Sequence, residues 1–470
     1  MSENAVNFSG QSEGVQNPLA VVKVEKLIPK FAIPAIISML VSSLYNIVDQ
    51  IFIGQGVGML GNAATNIAFP INIICTATAL LLGIGSASNF NLSSGAGEQE
   101  KANHFAGTGL TLLITCGIAI SAIVLLFLNP LLNLFGVTKE ILPYAQDYTG
   151  ITAFGIPFLI LTTGGNHLIR ADRSPTYSMT CMLTGAILNT ILDPLFIFGM
   201  GWGIKGAAWA TVIGQVISGI LVIIYFLRFK KMELKPEMLK PTGERISAIV
   251  SLGMAACINQ VAMALVQIVM NNTLKHYGAV SSYGSEIPLA CVGVISKVNM
   301  VFISITVGLA QGCQPIWGFN YGAKNYDRVC QAYKRAFQVA LITGIIFFAS
   351  FQLFPRQIVS IFGTGSEEYF QFAERYFKIY MFMTFANGLH PVSSNFFTSM
   401  GKAKLGAVVS LTRQVLFLIP LIIIFPLFMG IDGVMYAGPI ADAAAIIVSL
   451  TFAYREVKQM KNMMKAEVRE

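Results

Sequence analysis

The chain is a succession of apolar runs of about 20 residues or more, each long enough to cross a hydrocarbon core of roughly 30 Å as a helix. Twelve such runs lie at approximately 28–54, 66–92, 105–128, 142–164, 177–199, 205–227, 247–274, 288–316, 336–353, 369–392, 405–426 and 433–454. In lipid every backbone N–H and C=O must be satisfied within the chain, so only helices or a closed barrel can span. The runs are continuous rather than alternating in and out over ten-residue segments, which selects helices over barrel strands. Composition agrees: 11% of residues are charged and 54% hydrophobic, where a soluble domain carries about 25% charged residues. The expected fold is an all-α membrane protein of twelve transmembrane helices. Spans nine and ten are the most polar, with Gln338, Gln352, Glu374, Arg375 and Lys378.

Positive residues are retained on the cytoplasmic side of a membrane. The terminal segments and every second loop hold 23 Lys and Arg, whereas the alternate loops hold only Lys139, Lys205, Lys275 and Arg356. Both termini are therefore expected in the cytoplasm of a multi-pass cell-membrane protein, with the +8 balance facing anionic headgroups and no role in nucleic-acid binding. Residues 1–20 are polar and Gly/Ser/Asn-rich, and predict a disordered cytoplasmic tail rather than a signal peptide. The seven cysteines show no CxxC spacing and the four histidines complete no metal-ligand set, so no cofactor is expected. Gly83-Ile-Gly85-Ser-Ala-Ser88 has no preceding strand and no P-loop Lys, and suits close helix packing better than nucleotide binding. A transferase is disfavoured because no charged catalytic loop of useful size is present.

The longest charged connector, Arg228 to Arg245, follows the sixth span and contains Pro236 and Pro241. It divides the chain into a first lobe at 21–228, a cytoplasmic linker at 229–245, a second lobe at 246–455 and a tail at 456–470. The halves repeat at one offset: Phe135-Gly136 with Phe362-Gly363, Gly95-Ala96 with Gly322-Ala323, and Gly203-Ile-Lys-Gly206 with Gly430-Ile-Asp-Gly433 all stand 227 residues apart. Six is even, so both halves enter the membrane from the same side. Two six-helix lobes related by a pseudo-two-fold axis along the membrane normal are expected, an architecture used by alternating-access carriers rather than channels. Two fused lobes are compatible with a monomer.

Two aspartates stand inside this hydrocarbon, and intramembrane carboxylates are functional candidates by default. In span one Tyr45 and Asp49 are four apart on one helical face; in span five Asn189 and Asp193 repeat the spacing. Pro194 lacks an N–H, which frees the Thr190 carbonyl. From the middles of their spans, Asp49 and Asp193 fall roughly 12 and 8 Å outside the midplane. Two close carboxyls in a greasy setting can exchange a proton or hold Na⁺, a hard cation that prefers oxygen ligands; a helix cap or structural hydrogen bond is the bland alternative. Lys297 in span eight could attract an anionic substrate or balance a carboxylate, with Asp442 of span twelve as its candidate partner. Arg413 is expected to snorkel to the cytoplasmic surface. Span seven has no acid but several amides, Asn259, Gln260, Gln267, Asn271 and Asn272, which with Gln311 and Gln314 of span eight could line a substrate cavity or join helices.

Tyr45-x3-Asp49-x2-Phe52-Ile-Gly54, Asn189-x3-Asp193-Pro194 with Phe196-Ile-Phe-Gly199, and Gly203-x2-Gly206-Ala-Ala together resemble the multidrug and toxic compound extrusion (MATE) family across essentially all twelve spans. The likeness is to its DinF-like branch and the MepA-type bacterial multidrug exporters. The resemblance implies a cation or proton site at Tyr45, Asp49, Asn189, Asp193 and Thr211. It also implies antiport of amphipathic, often cationic drugs or metabolites against H⁺ or Na⁺, without ATP. The acid-free span seven departs from the NorM branch, which carries a carboxylate there. The alternative from a related fold class is a flippase for lipid-linked saccharides, against which the acidic pair and the near-solitary Lys297 argue.

Overall fold

A computed structural model describes residues 17–228, 235–284, 286–361 and 366–467. The first six spans are α1 (Val24–Gly56), α2 (Met59–Gly95), α3 (Gln99–Leu126), α4 (Leu142–Thr152 and Ile156–Ala171), α5 (Pro175–Pro194) and α6 (Gly203–Leu227). The second six are α7 (Gly243–Val280), α8 (Glu286–Gly322), α9 (Tyr326–Leu353), α10 (Glu367–Tyr380 through Leu389–Ser399), α11 (Ala403–Leu411 and Ile419–Met429) and α12 (Ile431–Glu467).

Ten of these are long and apolar enough to cross a membrane as one helix, and α4 and α10 are the two that are broken. Proline explains both interruptions, because its ring removes the bond to the carbonyl four residues back. Pro157 stands four residues after Ala153, where a 3-10 turn (Ala153–Gly155) divides α4. Pro391 stands four after Asn387, where α10 pauses before Leu389. The ladder widens to a π turn at Leu195–Gly199 after Pro194 and again at Thr412–Leu418 within α11.

The internal repeat has a physical meaning at each motif. Gly203 and Gly430 take φ of +55° and +60°, backbone angles that glycine adopts without a steric penalty. Three residues on, a Cβ at Gly206 would lie 2.8 Å from the Phe196 carbonyl carbon and one at Gly433 2.5 Å from that of Phe425. Each Gly-x-x-Gly thus turns the chain and seats the last helix of its lobe on the backbone of the preceding span. Gly95 and Gly322 meet across the lobes. A Cβ at Gly95 would fall 2.0 Å from the Phe319 oxygen and one at Gly322 2.1 Å from the Leu92 oxygen. Leu92 and Phe319 are themselves 227 residues apart, so the two contacts are equivalent under the pseudo-two-fold.

Each lobe lends its first helix to the other. The start of α1 (Val24, Leu27, Ile28, Phe31, Ala32) is buried in one cluster with Trp317, Tyr333 and Phe396 of the second lobe. Conversely Ile249 of α7 is buried in the core of the first lobe with Leu82, Leu113 and Leu168. Small residues allow these crossings. A Cβ on Gly253 of α7 would lie 1.7 Å from the Leu81 oxygen of α2, and Gly308 and Gly312 of α8 approach Ile36 and Ala32 of α1 as closely as 2.6 and 2.5 Å. Gly83 and Gly85 belong to the same packing, against Gly164 of α4 and Ile249 of α7.

One expectation about the connecting segments changes, and two segments gain detail. Of the tail at 1–20, residues 1–16 lie outside the described residues, but Pro18–Val21 form a helical turn capped by Asn17. Leu19 is buried, and its carbonyl accepts from Asn320 and Arg328. Ordered donors and an apolar pocket hold a segment whose composition predicts disorder. The second tail at 456–470 is helical as far as Glu467, with Met460 buried. In the linker, Pro236–Leu239 is a 3-10 turn whose Leu239 carbonyl accepts from Thr111 of α3 at 2.8 Å. Residues 229–234 lie outside the described residues.

Candidate functional site

Four helices of the first lobe bring Tyr45 and Asp49 (α1), Tyr148 (α4), Asn189 and Asp193 (α5) and Thr211 (α6) into one polar group. The i, i+4 spacing places each α1 and α5 pair on a single face, and those faces meet because α1 packs on α5 and α5 on α6. Asp193 is fully buried and Asn189 nearly so, whereas Asp49 and Tyr45 are half-buried. The Asp49 and Asp193 carboxyls lie close enough to interact with one another. Two carboxylates this near repel one another when both are bare, and a proton on one, or a cation between them, offsets the repulsion.

The surrounding atoms complete a set of hard oxygens. Asn189 bridges Asp193 and Thr211: with its amide nitrogen donating to Asp193 Oδ2 at 3.2 Å, its oxygen accepts from Thr211 Oγ1 and from the Thr211 N–H, both at 3.3 Å. Tyr148 and Tyr45 both lie beside the two carboxyls. Asp49 Oδ1 is buried with no partner among the described residues. Tyr45, Asn189 and Thr211 line a cavity of about 90 Å³ that continues inward past Thr163, Gln215 and Ser218. Oxygen donors of this kind are the chemistry that hard cations prefer.

The residues expected in the second lobe divide into three groups. Asp442 does not pair with Lys297; it forms a buried ion pair with Arg413 and accepts from Asn387 at 3.3 Å. Arg413 accordingly turns inward rather than snorkelling. It is the second residue of the π turn of α11, whose wider winding alters which side chains face the lobe interior. Gln311 and Gln314 are buried between the lobes rather than exposed in a substrate cavity. Gln311 accepts from Arg170 Nη2 at 3.2 Å, and Gln314 donates to Asn395 at 2.6 Å and meets His167 at 3.4 Å. The third group stays open to its surroundings. Lys297 is exposed and has no ion pair or hydrogen bond among the described residues; Asn259 and Gln260 are half-buried; and exposed Gln267 donates to Asn271 at 2.9 Å.

Sequence reading missed Tyr148 and Arg170. Nothing in the span-four pattern separates Tyr148 from a packing aromatic. Arg170 counts as a loop charge when the apolar run ends at residue 164, but α4 continues to Ala171, and the guanidinium is buried on His167, Ser178 and Gln311.

The MatE family profile matches residues 34–195 and 255–424, one segment in each lobe. The chain is 25% identical over 432 residues to "Multidrug export protein MepA" of Staphylococcus aureus, covering 91% of this chain and 93% of that one. It is 26% identical over 436 residues to the protein of the same name from Staphylococcus haemolyticus, with the same coverage. Among solved structures, a multidrug resistance MATE family transporter of the MOP superfamily in an outward-facing conformation superposes with a TM-score of 0.87 at 24% identity, covering 96% of this chain and all of that one. A MOP superfamily transporter from Pyrococcus furiosus gives 0.86 at 23%, covering 94% and 98%. The structures share the fold, and the profile spans both lobes: the chain belongs to the MatE family and is a multi-pass membrane transporter rather than an enzyme.

Proposed function

We propose that this protein is a secondary multidrug efflux antiporter that exports amphipathic, often cationic compounds in exchange for H⁺ or Na⁺ bound at Asp49 and Asp193. The observation that carries the reading is the contact between those two carboxyls inside a cage of Tyr45, Tyr148, Asn189 and Thr211. A bare pair is repelled and a loaded pair is neutralised, so occupancy changes how α1 sits on α5. Because α1 also packs into the second lobe, that change is transmitted to the contact between lobes. Coupling then requires only that ion and drug bind the two facing states with different affinities.

The excess of Lys and Arg on the side of both termini supports a cytoplasmic location for that side. The close glycine contacts at Gly95, Gly253 and Gly322 join the lobes at that side, which supports an outward-opening conformation. The names of the staphylococcal relatives support drug export. In proteoliposomes loaded with ethidium, efflux should follow an imposed pH or sodium gradient, tested one at a time. Asp49→Asn should abolish gradient-driven efflux at an unchanged melting temperature, and undiminished efflux by that variant would remove Asp49 from the mechanism.

A further inference from the structure

The faces that press the lobes together continue past the last contact between them. On α1 the stripe runs Ala32, Ile36, Met39, Ser43, Asn46, Gln50; on α8, read in the opposite direction, it runs Gly312, Gly308, Ser304, Met300, Lys297, Gly293. The first members touch: Gly312 on Ala32, Gly308 on Ile36, and the Ser43 and Ser304 hydroxyls on one another at 2.5 Å. Beyond that serine pair the same faces are exposed at Asn46, Gln50, Met300 and Lys297. The helices therefore part there. Lys297, two turns or roughly 10 Å past Ser304, points into the cleft between the lobes and away from lipid.

The α7 face that packs Gly253 on α2 likewise continues to exposed Gln267 and Asn271, whose amides are bonded to each other. These stripes carry no carboxylate near the lysine. The closest acid on its own face is Glu286, eleven residues and roughly 16 Å away along α8. A compact ammonium with three donors therefore stands on a neutral amide wall, without a counter-ion among the described residues.

We propose that Lys297 is a substrate-binding residue that receives a carboxylate, so that this cleft prefers amphipathic molecules bearing an anionic group over equivalents whose only charge is positive. The proposal rests on the transport reading above and narrows its substrate class. Apolar surface for the body of such a molecule is supplied by exposed Met300 and Met263, which adapt to irregular shapes. Lysine binds a carboxylate as a point charge from many angles, which suits a wall serving several compounds.

The test uses rhodamine 110 and its methyl ester rhodamine 123, which share a cationic ring system and differ in whether the carboxyl is ionised. Anisotropy titrations with the purified protein should show rhodamine 110 bound about five-fold more tightly, the upper range for a water-exposed ion pair. Lys297→Gln should erase the preference, Lys297→Arg keep it and Lys297→Glu reverse it. Because Lys297 is exposed and unpaired, the variants should melt like the parent protein. Equal affinities in the parent protein, or a preference that survives in Lys297→Gln, overturn the assignment. Loss of gradient-driven efflux of both dyes with the binding preference intact would instead refute the antiport reading and leave Lys297 in place.

Discussion

Gly253→Ala is expected to unlock the closed end of the molecule. The added Cβ would stand 1.7 Å from the Leu81 oxygen, 2.5 Å from its carbonyl carbon and 2.8 Å from its Cα, whereas ordinary contact begins at 3.4 Å. All three are backbone atoms, so no rotamer change relieves the clash. The difference between 3.4 and 1.7 Å means that α7 and α2 must separate by 1.7 Å at this point. Overpacking of this kind costs about 1–3 kcal/mol, and about 1.4 kcal/mol is a tenfold change in an equilibrium, so the population of this conformation should fall about 5- to 150-fold relative to one with the closed end parted. Nitroxide labels at Glu100 and Asp327, an exposed pair 227 residues apart at that end, report the change by electron paramagnetic resonance in a background with the seven native cysteines replaced. The distance distribution should lengthen in Gly253→Ala. It should stay put in Gly150→Ala, where the new atom meets only Leu128 Cδ2 at 3.6 Å. An unchanged distribution in Gly253→Ala would refute the argument that these glycines decide which end is closed.

Tyr148→Phe removes a hydroxyl that lies beside Asp49 and Asp193; losing one polar contact of about 0.5–1.5 kcal/mol to the coupling ion should raise the ion concentration for half-maximal transport about two- to tenfold. An unmoved half-saturation point would exclude Tyr148 from the ion site. Arg413→Met leaves Asp442 buried without its cation and should cost about 3–5 kcal/mol, seen as a lowered melting temperature in detergent. Adding Asp442→Leu should recover most of that loss, and a single variant as stable as the parent would show that the pair is not buried as described.

Much of the architecture was legible in the chain because a bilayer permits so few solutions. Twelve runs, a positive-residue asymmetry and a fixed offset of 227 residues were sufficient for two six-helix lobes. The i, i+4 pairs Tyr45/Asp49 and Asn189/Asp193 were legible too, since helical periodicity alone aligns them. What could not be read was direction across the helix bundle. Whether Gln311 faces a cavity or the buried guanidinium of Arg170 depends on the rotation of α8 against α4, which no local pattern encodes. The inward turn of Arg413 depends on a π turn, a one-residue change in winding invisible to hydropathy. The end of α4 was misplaced for a related reason. Hydropathy falls at residue 164, whereas the backbone stays helical to Ala171, where buried partners hold the His167 and Arg170 side chains beyond the apolar run.

The exchange of first helices bears on how the protein can be made. Cut at the linker, neither fragment would own its complete interior: one would leave Phe31 and Ala32 uncovered, the other Ile249, each missing the surface that packs against it. Separately expressed halves should therefore aggregate or be degraded, yet reassemble when synthesised together in one membrane. During biosynthesis the first lobe stays unfinished until α7 has been inserted.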